Sequence, residues 1–142
     1  MEVRRATLDD LAGIIEFLED YHTTSNLSDV PIHRPSLSKV LEYVIRSKDT
    51  LALVAYNDEK VIGTLAGTIE PFFFNAKKSY ATDMFFISRG AGPQLWKEFK
   101  EWAFYTGADR ILMGVSSGDA RAGHLLEVLG MEKTGGMYVL RS

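Results

Sequence analysis

One stretch constrains the fold of this chain more than any other: an apolar strand runs directly into a glycine-rich turn and then into a helix. Residues 83–88 have the aromatic and β-branched character of a strand, and residues 89–94 read Arg-Gly-Ala-Gly-Pro-Gln. Leu95, Phe99 and Trp102 then share one helical face. Pro93 suits the first turn of a helix, and Gly107 suits the position just after its end. The unit predicts a helix that packs on a sheet.

The remaining periodicities predict a mixed α/β domain over residues 1–142. A sheet of about six to seven strands, mostly antiparallel, is expected with helices on both faces. Thr7 and Asp10 form a candidate capping box before the first helix, and Pro71 is expected to end the third strand. The predicted strands are Val3–Ala6, Leu51–Tyr56, Val61–Ile69, Tyr80–Ser88, Ile111–Val115 and Met137–Leu140. The predicted helices follow Thr7, Ser36 and Pro93 and cover Ala120–Leu129.

Composition excludes several kinds of chemistry. The chain has no cysteine, so disulfides, catalytic thiolates and cysteine-based zinc sites are excluded. Its three histidines have no ligand-like spacing, and no metal is expected. A net charge of -3 gives no general attraction to nucleic acid or to anionic membranes. With neither a secretory signal nor a membrane span in view, we expect a cytoplasmic protein.

The glycine-rich turn is a candidate phosphate site. Backbone N–H groups at a helix N-terminus attract anions, and glycines allow the chain to approach a phosphate closely. Gly90 and Gly92 supply that freedom, and Arg89 can add a charge-assisted hydrogen bond. The alternative interpretation is an ordinary tight turn capped by glycines. A P-loop nucleotide site is disfavoured, because the Lys-Ser/Thr ending is missing.

The order of elements and the Arg-Gly-x-Gly turn resemble the coenzyme A pyrophosphate loop of GNAT acetyltransferases. Residues 3–10 resemble the usual opening of that family, and the helix end at residues 127–131 resembles its closing helix. The polar loop after Tyr21-His22 and the sequences at residues 102–103, 114–118 and 135–138 resemble acetyltransferases that bacteriophages and prophages encode. If the chain is of that type, its location would be the host cytoplasm.

The resemblance implies an N-acetyltransferase that uses acetyl-CoA and no metal, with an amine-bearing acceptor that the sequence does not identify. The implied coenzyme contacts are Phe85, Phe86 and Ile87 for the pantetheine arm, and Arg89, Gly90, Ala91, Gly92, Gln94 and Asp119 around the pyrophosphate. The chain departs from the family pattern at three positions. Pro93 lacks an N–H, Gln94 replaces a small residue, and Leu126 occupies the place of the Tyr that commonly protonates the leaving thiolate. These departures keep open a second hypothesis, a catalytically weak or inactive module that binds coenzyme A or a protein partner.

Four residues are candidate acids or bases under the same resemblance. Asp83 is the first candidate base, because related enzymes often carry an acid on this strand. Glu70, at a strand end, is a second candidate. His124 can titrate near neutral pH, and Tyr138 is a substitute acid. The alternatives are surface carboxylates for Asp83 and Glu70, an ordinary exposed histidine, and packing of Tyr138 beneath the sheet.

The acceptor cleft is expected between the first helices, the loop His22–Pro35 and the connection after Pro71. Within that connection lie three consecutive phenylalanines, Phe72–Phe74, for which core or dimer packing is favoured over a substrate pocket. A homodimer is an open alternative, since an exposed sheet edge would need cover.

Overall fold

The strands of this protein alternate their side chains between two apolar layers. The structure, a computed structural model, describes residues 1–115 and 120–142. Within them a single sheet has the order β1-β2-β3-β4-β5, with antiparallel pairing except for β5, which runs parallel to β4. The strands are β1 (Glu2–Arg5), β2 (Thr50–Asn57), β3 (Lys60–Phe72), β4 (Asn75–Ser88) and β5 (Arg110–Leu112).

Helices cover both faces of the sheet, as predicted. They are α1 (Leu11–His22), α2 (Arg34–Arg46), α3 (Gly92–Tyr105) and α4 (Ala120–Val128), and a 3-10 turn, Leu8–Asp10, precedes α1. We call the two sides the α1 face and the α3 face. Side chains such as Ile14, Leu41 and Val54 form the core of the α1 face, and Leu65, Leu95 and Phe99 form that of the α3 face. No helix in the described ranges is long and apolar enough to cross a membrane.

The predicted start of the first helix is confirmed. Thr7 and Asp10 make the capping box, and the Asp10 carboxylate accepts the Thr7 N–H at 2.7 Å. Arg4 binds the same carboxylate with two nitrogens at 2.7 and 2.9 Å, and the Tyr56 hydroxyl donates to it at 2.7 Å. This network ties β1, β2 and the first helical turn together.

The strand count differs from the prediction of six to seven. Five strands are present in the described residues, and Met137–Leu140 is not among them. These four residues are 70–100% exposed and lack a neighbouring strand, so their apolar pattern alone does not order them into the sheet.

The β3–β4 hairpin is longer than predicted, because Pro71 does not end β3. It pairs with Ser79, and the hairpin turns only at Phe72 and Asn75. The last residue of β3 that pairs with β2 is Thr68. The missing N–H of Pro71 therefore falls where β3 has an open edge, where proline is tolerated.

Candidate functional site

A bulge in β4 decides which side chains face each helix layer. Gly67 pairs with Asp83, but the preceding residue of β3, Ala66, pairs with Phe85, so Met84 is the extra residue. After the bulge Phe85 and Ile87 pack on the α1 face, and Phe86 packs on the α3 face. The three residues predicted to contact the pantetheine arm thus lie on one strand but face opposite layers.

The pairing between β4 and β5 stops early and leaves an opening. It covers three pairs, from Tyr80 with Arg110 to Thr82 with Leu112, where β5 ends. The next six residues of β4, Asp83–Ser88, have no described strand beside them on that edge. Their backbone groups on this edge are available to an extended ligand, in the way an added strand pairs with a sheet edge.

Asp83 lies at the mouth of this opening. Its Oδ1 accepts the N–H of Gly114 at 3.3 Å, so the side chain bridges the gap where the backbone ladder has ended. Burial raises the pKa of Asp83 above its usual value, and the Gly114 N–H offsets this only in part. A half-buried carboxylate with a raised pKa is a stronger base than an ordinary surface carboxylate, which makes it a candidate for proton transfer.

The glycine-rich turn adopts the geometry of an anion site. Gly90 has φ of 98°, a region that glycine occupies without strain. The Ser88 hydroxyl accepts the Ala91 N–H at 2.7 Å and shapes the turn. Helix geometry leaves the N–H groups of Gly92 and Gln94, in the first turn of α3, without acceptors inside the helix. Pro93, which lies between them, has no N–H. The N–H groups of Gly92 and Gln94, together with the helix dipole, therefore give the N-terminus of α3 its positive partial charge.

The wall of this site comes from α4 and β4. A Cβ atom added at Gly92 would lie 3.0 Å from Leu125 Cδ2 and 3.9 Å from Phe86 Cζ. The absence of a side chain at Gly92 therefore allows Leu125 of α4 to pack against the start of α3. Gly92, which the sequence marks for close approach, is therefore buried against a protein side chain, whereas Gln94 in the same turn is exposed.

Arg89 engages the other side of the sheet. Its Nη1 lies 2.8 Å from Asp20 Oδ2, and its guanidinium carbon lies 5.7 Å from the centre of the Phe17 ring. Its own N–H donates to the Ile62 carbonyl at 2.7 Å and extends the β3–β4 ladder. The predicted contact of Arg89 with a pyrophosphate stays a prediction, since these partners all belong to the protein.

The other predicted catalytic residues fall into two groups. Glu70 is exposed on the far part of the hairpin, where it pairs with Tyr80, three rungs from the Gly67–Asp83 pair. At about 3.3 Å per residue, that spacing separates its backbone from that of Asp83 by roughly 10 Å. His124 and Tyr138 border one open space with Gly114, near the mouth. Asp119 lies outside the described residues.

Two contributors to the site escaped the sequence analysis. Ser88 was treated only as the end of a strand, although a Ser hydroxyl that accepts the N–H of the residue three positions later is a known turn and capping pattern. Gly114 entered only as part of the resemblance at residues 114–118 and not as a partner of Asp83, because its backbone N–H reaches Asp83 only through the spatial order of β4 and β5. Among the described residues, no group of three or more His, Cys, Asp or Glu could hold a metal ion.

Comparison with known proteins identifies the family and the fold. The family model of the Acetyltransferase (GNAT) family matches residues 10–131. No curated protein sequence matches the chain significantly. Among solved structures, a transcriptional regulator from Bacillus halodurans is 21% identical, with a TM-score of 0.79 and 99% of each chain covered. An aminoglycoside antibiotic 6'-N-acetyltransferase from Acinetobacter baumannii is 14% identical, with a TM-score of 0.75 and coverage of 99% and 97%.

One further structure contains the coenzyme. An aminoglycoside N-acetyltransferase in complex with CoA is 16% identical, with a TM-score of 0.72 and coverage of 99% of this chain and 98% of that chain. At these identities the likeness of the structures concerns the fold.

Proposed function

The chain belongs to the GNAT acetyltransferase family, and on that premise we propose which of its residues hold acetyl-CoA and move protons during transfer of the acetyl group to an amine. It is an N-acetyltransferase. The acceptor, the roles of individual residues and the assembly are the parts that we propose.

The observation that carries the proposal is the meeting of two features at one end of β4. An unpaired strand edge, Asp83–Ser88, leads directly into the turn that presents the N–H groups of Gly92 and Gln94. The first feature suits an extended amide-bearing arm, and the second suits a pyrophosphate. We propose that Phe85, Phe86 and Ile87 contact the arm through their backbone. The pyrophosphate would lie against Gly90, Ala91, Gly92 and Gln94, and a contact with Asp119 is proposed from the resemblance alone.

When bound, acetyl-CoA supplies the acetyl group as a thioester, which a neutral amine can attack directly. We propose that Asp83 takes a proton from the acceptor ammonium. Its raised pKa favours that step, because a base whose conjugate acid titrates nearer the working pH accepts protons more effectively. The Gly114 N–H, which donates to Asp83, keeps the carboxylate oriented toward the mouth of the opening.

A proton must also reach the departing thiolate. We propose His124 or Tyr138 for this role, because both border the same open space as Gly114. Leu126, which has no proton to give, borders that space as well. Glu70 is the weaker of the proposed acid–base residues, since it lies three rungs along the hairpin from Asp83.

We propose a primary amine as the acceptor, entering from the side of α1 and the segment 23–33. His22 and Val30 close this segment on itself, because the His22 Nε2 lies 2.6 Å from the Val30 carbonyl oxygen. The three phenylalanines, Phe72–Phe74, lie at the tip of the β3–β4 hairpin. Phe73 is 99% exposed, which is more consistent with contact to another molecule than with a place in the core.

We also make proposals about the oligomeric state of the protein, its origin and its location in the cell. A homodimer is supported by the outer edge of β5, beside which the described part of the chain has no strand, and by the exposed apolar residues of the segment 137–140; a second copy could cover both. Sedimentation of the purified protein tests this, and a monomer at all concentrations would exclude it. A single domain, a phage-encoded type and a cytoplasmic location rest on the sequence alone.

Calorimetric titration with acetyl-CoA and with coenzyme A tests the proposed site. We expect dissociation constants in the micromolar range for both ligands. A second assay follows the release of free thiol from acetyl-CoA in the presence of a panel of primary amines. Binding without thiol release would favour a module that holds the coenzyme but does not react. No binding up to millimolar concentration would reject the assignment of the loop.

A further inference from the structure

The guanidinium of Arg89 and the N-terminus of α3 lie on opposite faces of the sheet. Along β4, Phe85 and Ile87 pack on the α1 face, and alternation places Arg89 on that face as well. The contacts agree, since Asp20 and Phe17 both belong to α1. On the other face, Leu95 of α3 packs in the cluster that also receives Phe86.

Both polar parts of Arg89 are already engaged by the protein. The guanidinium meets the Asp20 carboxylate at 2.8 Å and covers the Phe17 ring, while the N–H donates to Ile62 at 2.7 Å. A guanidinium that turned toward the start of α3 would have to leave its ion pair and its aromatic partner. The backbone N–H groups of Gly92 and Gln94 need no such rearrangement to meet an anion.

We infer that Arg89 and Asp20 form a positioning pair, which ties the end of α1 to the coenzyme loop, and that the Arg89 side chain is not a pyrophosphate ligand. The inference rests on the proposed function for the identity of the loop. It assigns phosphate recognition to backbone groups on one face of the sheet and assigns the motif arginine to the other face.

The Arg89–Asp20 pair lies next to the segment 23–33, which we propose to border the entry of the acceptor amine. α1 ends at His22, two residues after Asp20, and the segment 23–33 begins there. His22 in turn contacts the Val30 carbonyl. A continuous set of contacts therefore runs from the coenzyme loop through Asp20 to this segment. Loosening the pair should increase the motion of residues 23–33, while the phosphate-binding groups stay in place.

The test uses Arg89→Gln and Asp20→Asn, with Glu16→Gln as the matched control, because Glu16 is an exposed carboxylate one turn earlier on α1. Hydrogen exchange of amides 23–33 is measured first and needs no ligand. We expect both variants to exchange about two- to fivefold faster than wild type, as is usual for loss of a surface ion pair, and the control to match wild type.

Calorimetry with coenzyme A and with pantetheine, which lacks the pyrophosphate, completes the test. We expect Arg89→Gln to change both dissociation constants by less than about twofold. A charged ligand of the pyrophosphate would behave differently: its loss would weaken coenzyme A by about tenfold or more and leave pantetheine unchanged. That result, or unchanged exchange of residues 23–33 in both variants, would overturn the inference. Failure of wild type to bind coenzyme A would instead reject the proposed function and leave the exchange experiment valid.

Discussion

Two regions of this protein withdraw a carboxylate from water, and they treat its charge in opposite ways. At the corner of β1 and α1, Asp10 is 3% exposed and meets the Arg4 guanidinium, the Thr7 N–H and the Tyr56 hydroxyl, all within 2.9 Å. Hydrogen bonds from Arg4, followed by those from Thr7 and Tyr56, hold the pKa of Asp10 well below its usual range despite desolvation.

At the mouth between β4 and β5 the balance is reversed. Burial raises the pKa of Asp83, and the two backbone N–H groups that face its carboxylate, that of Gly114 at 3.3 Å and its own, offset this only in part. The charge of the Asp10 carboxylate is thus fully met by hydrogen-bond donors, whereas that of the Asp83 carboxylate is met only in part. The difference indicates that the first carboxylate stabilises the fold and that the second is available for proton transfer.

Removal of the Asp83 charge gives the largest expected effect. Asp83→Asn should lower turnover about 10²- to 10⁴-fold, the usual contribution of a general base, while the fold is retained. In wild type, kcat/KM should rise with pH through the raised pKa of Asp83, because only the carboxylate accepts a proton. Steady-state kinetics from pH 4 to pH 9 measures both quantities.

The stability of the same variant separates catalysis from folding. Because the folded state raises the pKa of Asp83, ionisation costs the folded protein stability as pH rises from about 4 through that pKa. Asp83→Asn should remove this loss and be at least as stable as wild type near neutral pH. Turnover equal to that of wild type would exclude Asp83 as the base.

Loss of the other carboxylate should act on the fold instead. Asp10→Asn should lower the free energy of unfolding by about 2–4 kcal/mol, because Arg4 loses its buried partner while remaining partly exposed itself. Asp9→Asn, an exposed neighbour, is the control. Urea unfolding measures both variants.

The pH dependence of the free energy of unfolding should have the opposite sign for Asp10. With its pKa lowered in the folded state, Asp10 contributes stability that is fully present above about pH 4 and is lost as pH falls toward the folded pKa. The Asp10→Asn variant should lack this acid slope. A change below about 0.5 kcal/mol, the range of ordinary surface substitutions, would remove the contrast between the two carboxylates.

The sequence indicated one of these regions far better than the other. Thr7 and Asp10 are three residues apart, so their capping box is visible as a local pattern. The partners Arg4 and Tyr56 are not visible, because Tyr56 joins them only through the pairing of β1 with β2. Local periodicity also predicted the two helix layers, since buried and exposed residues alternate regularly.

The open mouth could not be predicted in the same way. It depends on a bulge at Met84 and on the early end of β5, and both are properties of strand register. The predicted final strand shows the same limitation, because a strand pattern at Met137–Leu140 does not specify a partner. A glycine inside a strand is a more informative pattern, because it indicates a bulge or a close approach of the backbone. Gly67 lies opposite the bulge in β4 and also packs closely against Phe99.

Gly67 offers a test of the packing behind Asp83, with a smaller expected effect. A Cβ there would lie 2.5 Å from Phe99 Cε2 and 2.7 Å from the Thr82 carbonyl oxygen. Gly67→Ala should therefore lower the free energy of unfolding by about 1–3 kcal/mol through overpacking. Gly123→Ala is the control, because a Cβ at Gly123 meets nothing within 4 Å in a helix, where alanine is favoured. If the two variants are equally stable in thermal unfolding, the backbone of β3 opposite Asp83 can shift to accommodate the added methyl group.

Ser88 gives the smallest expected effect and links the strand opening to the anion site. Its hydroxyl accepts the Ala91 N–H at 2.7 Å, and Ala91 is fully buried, so Ser88→Ala leaves that N–H without its acceptor. The expected cost is about 1 kcal/mol in the free energy of unfolding. Because the same bond shapes the turn before Gly92, coenzyme A should bind about fivefold more weakly. Ser79→Ala, on the same strand but distant from the turn, is the control. A loss of stability with unchanged affinity for coenzyme A would show that the turn supports the fold alone. The region around Asp83 would then resemble the corner around Asp10 more closely than the two carboxylates suggest.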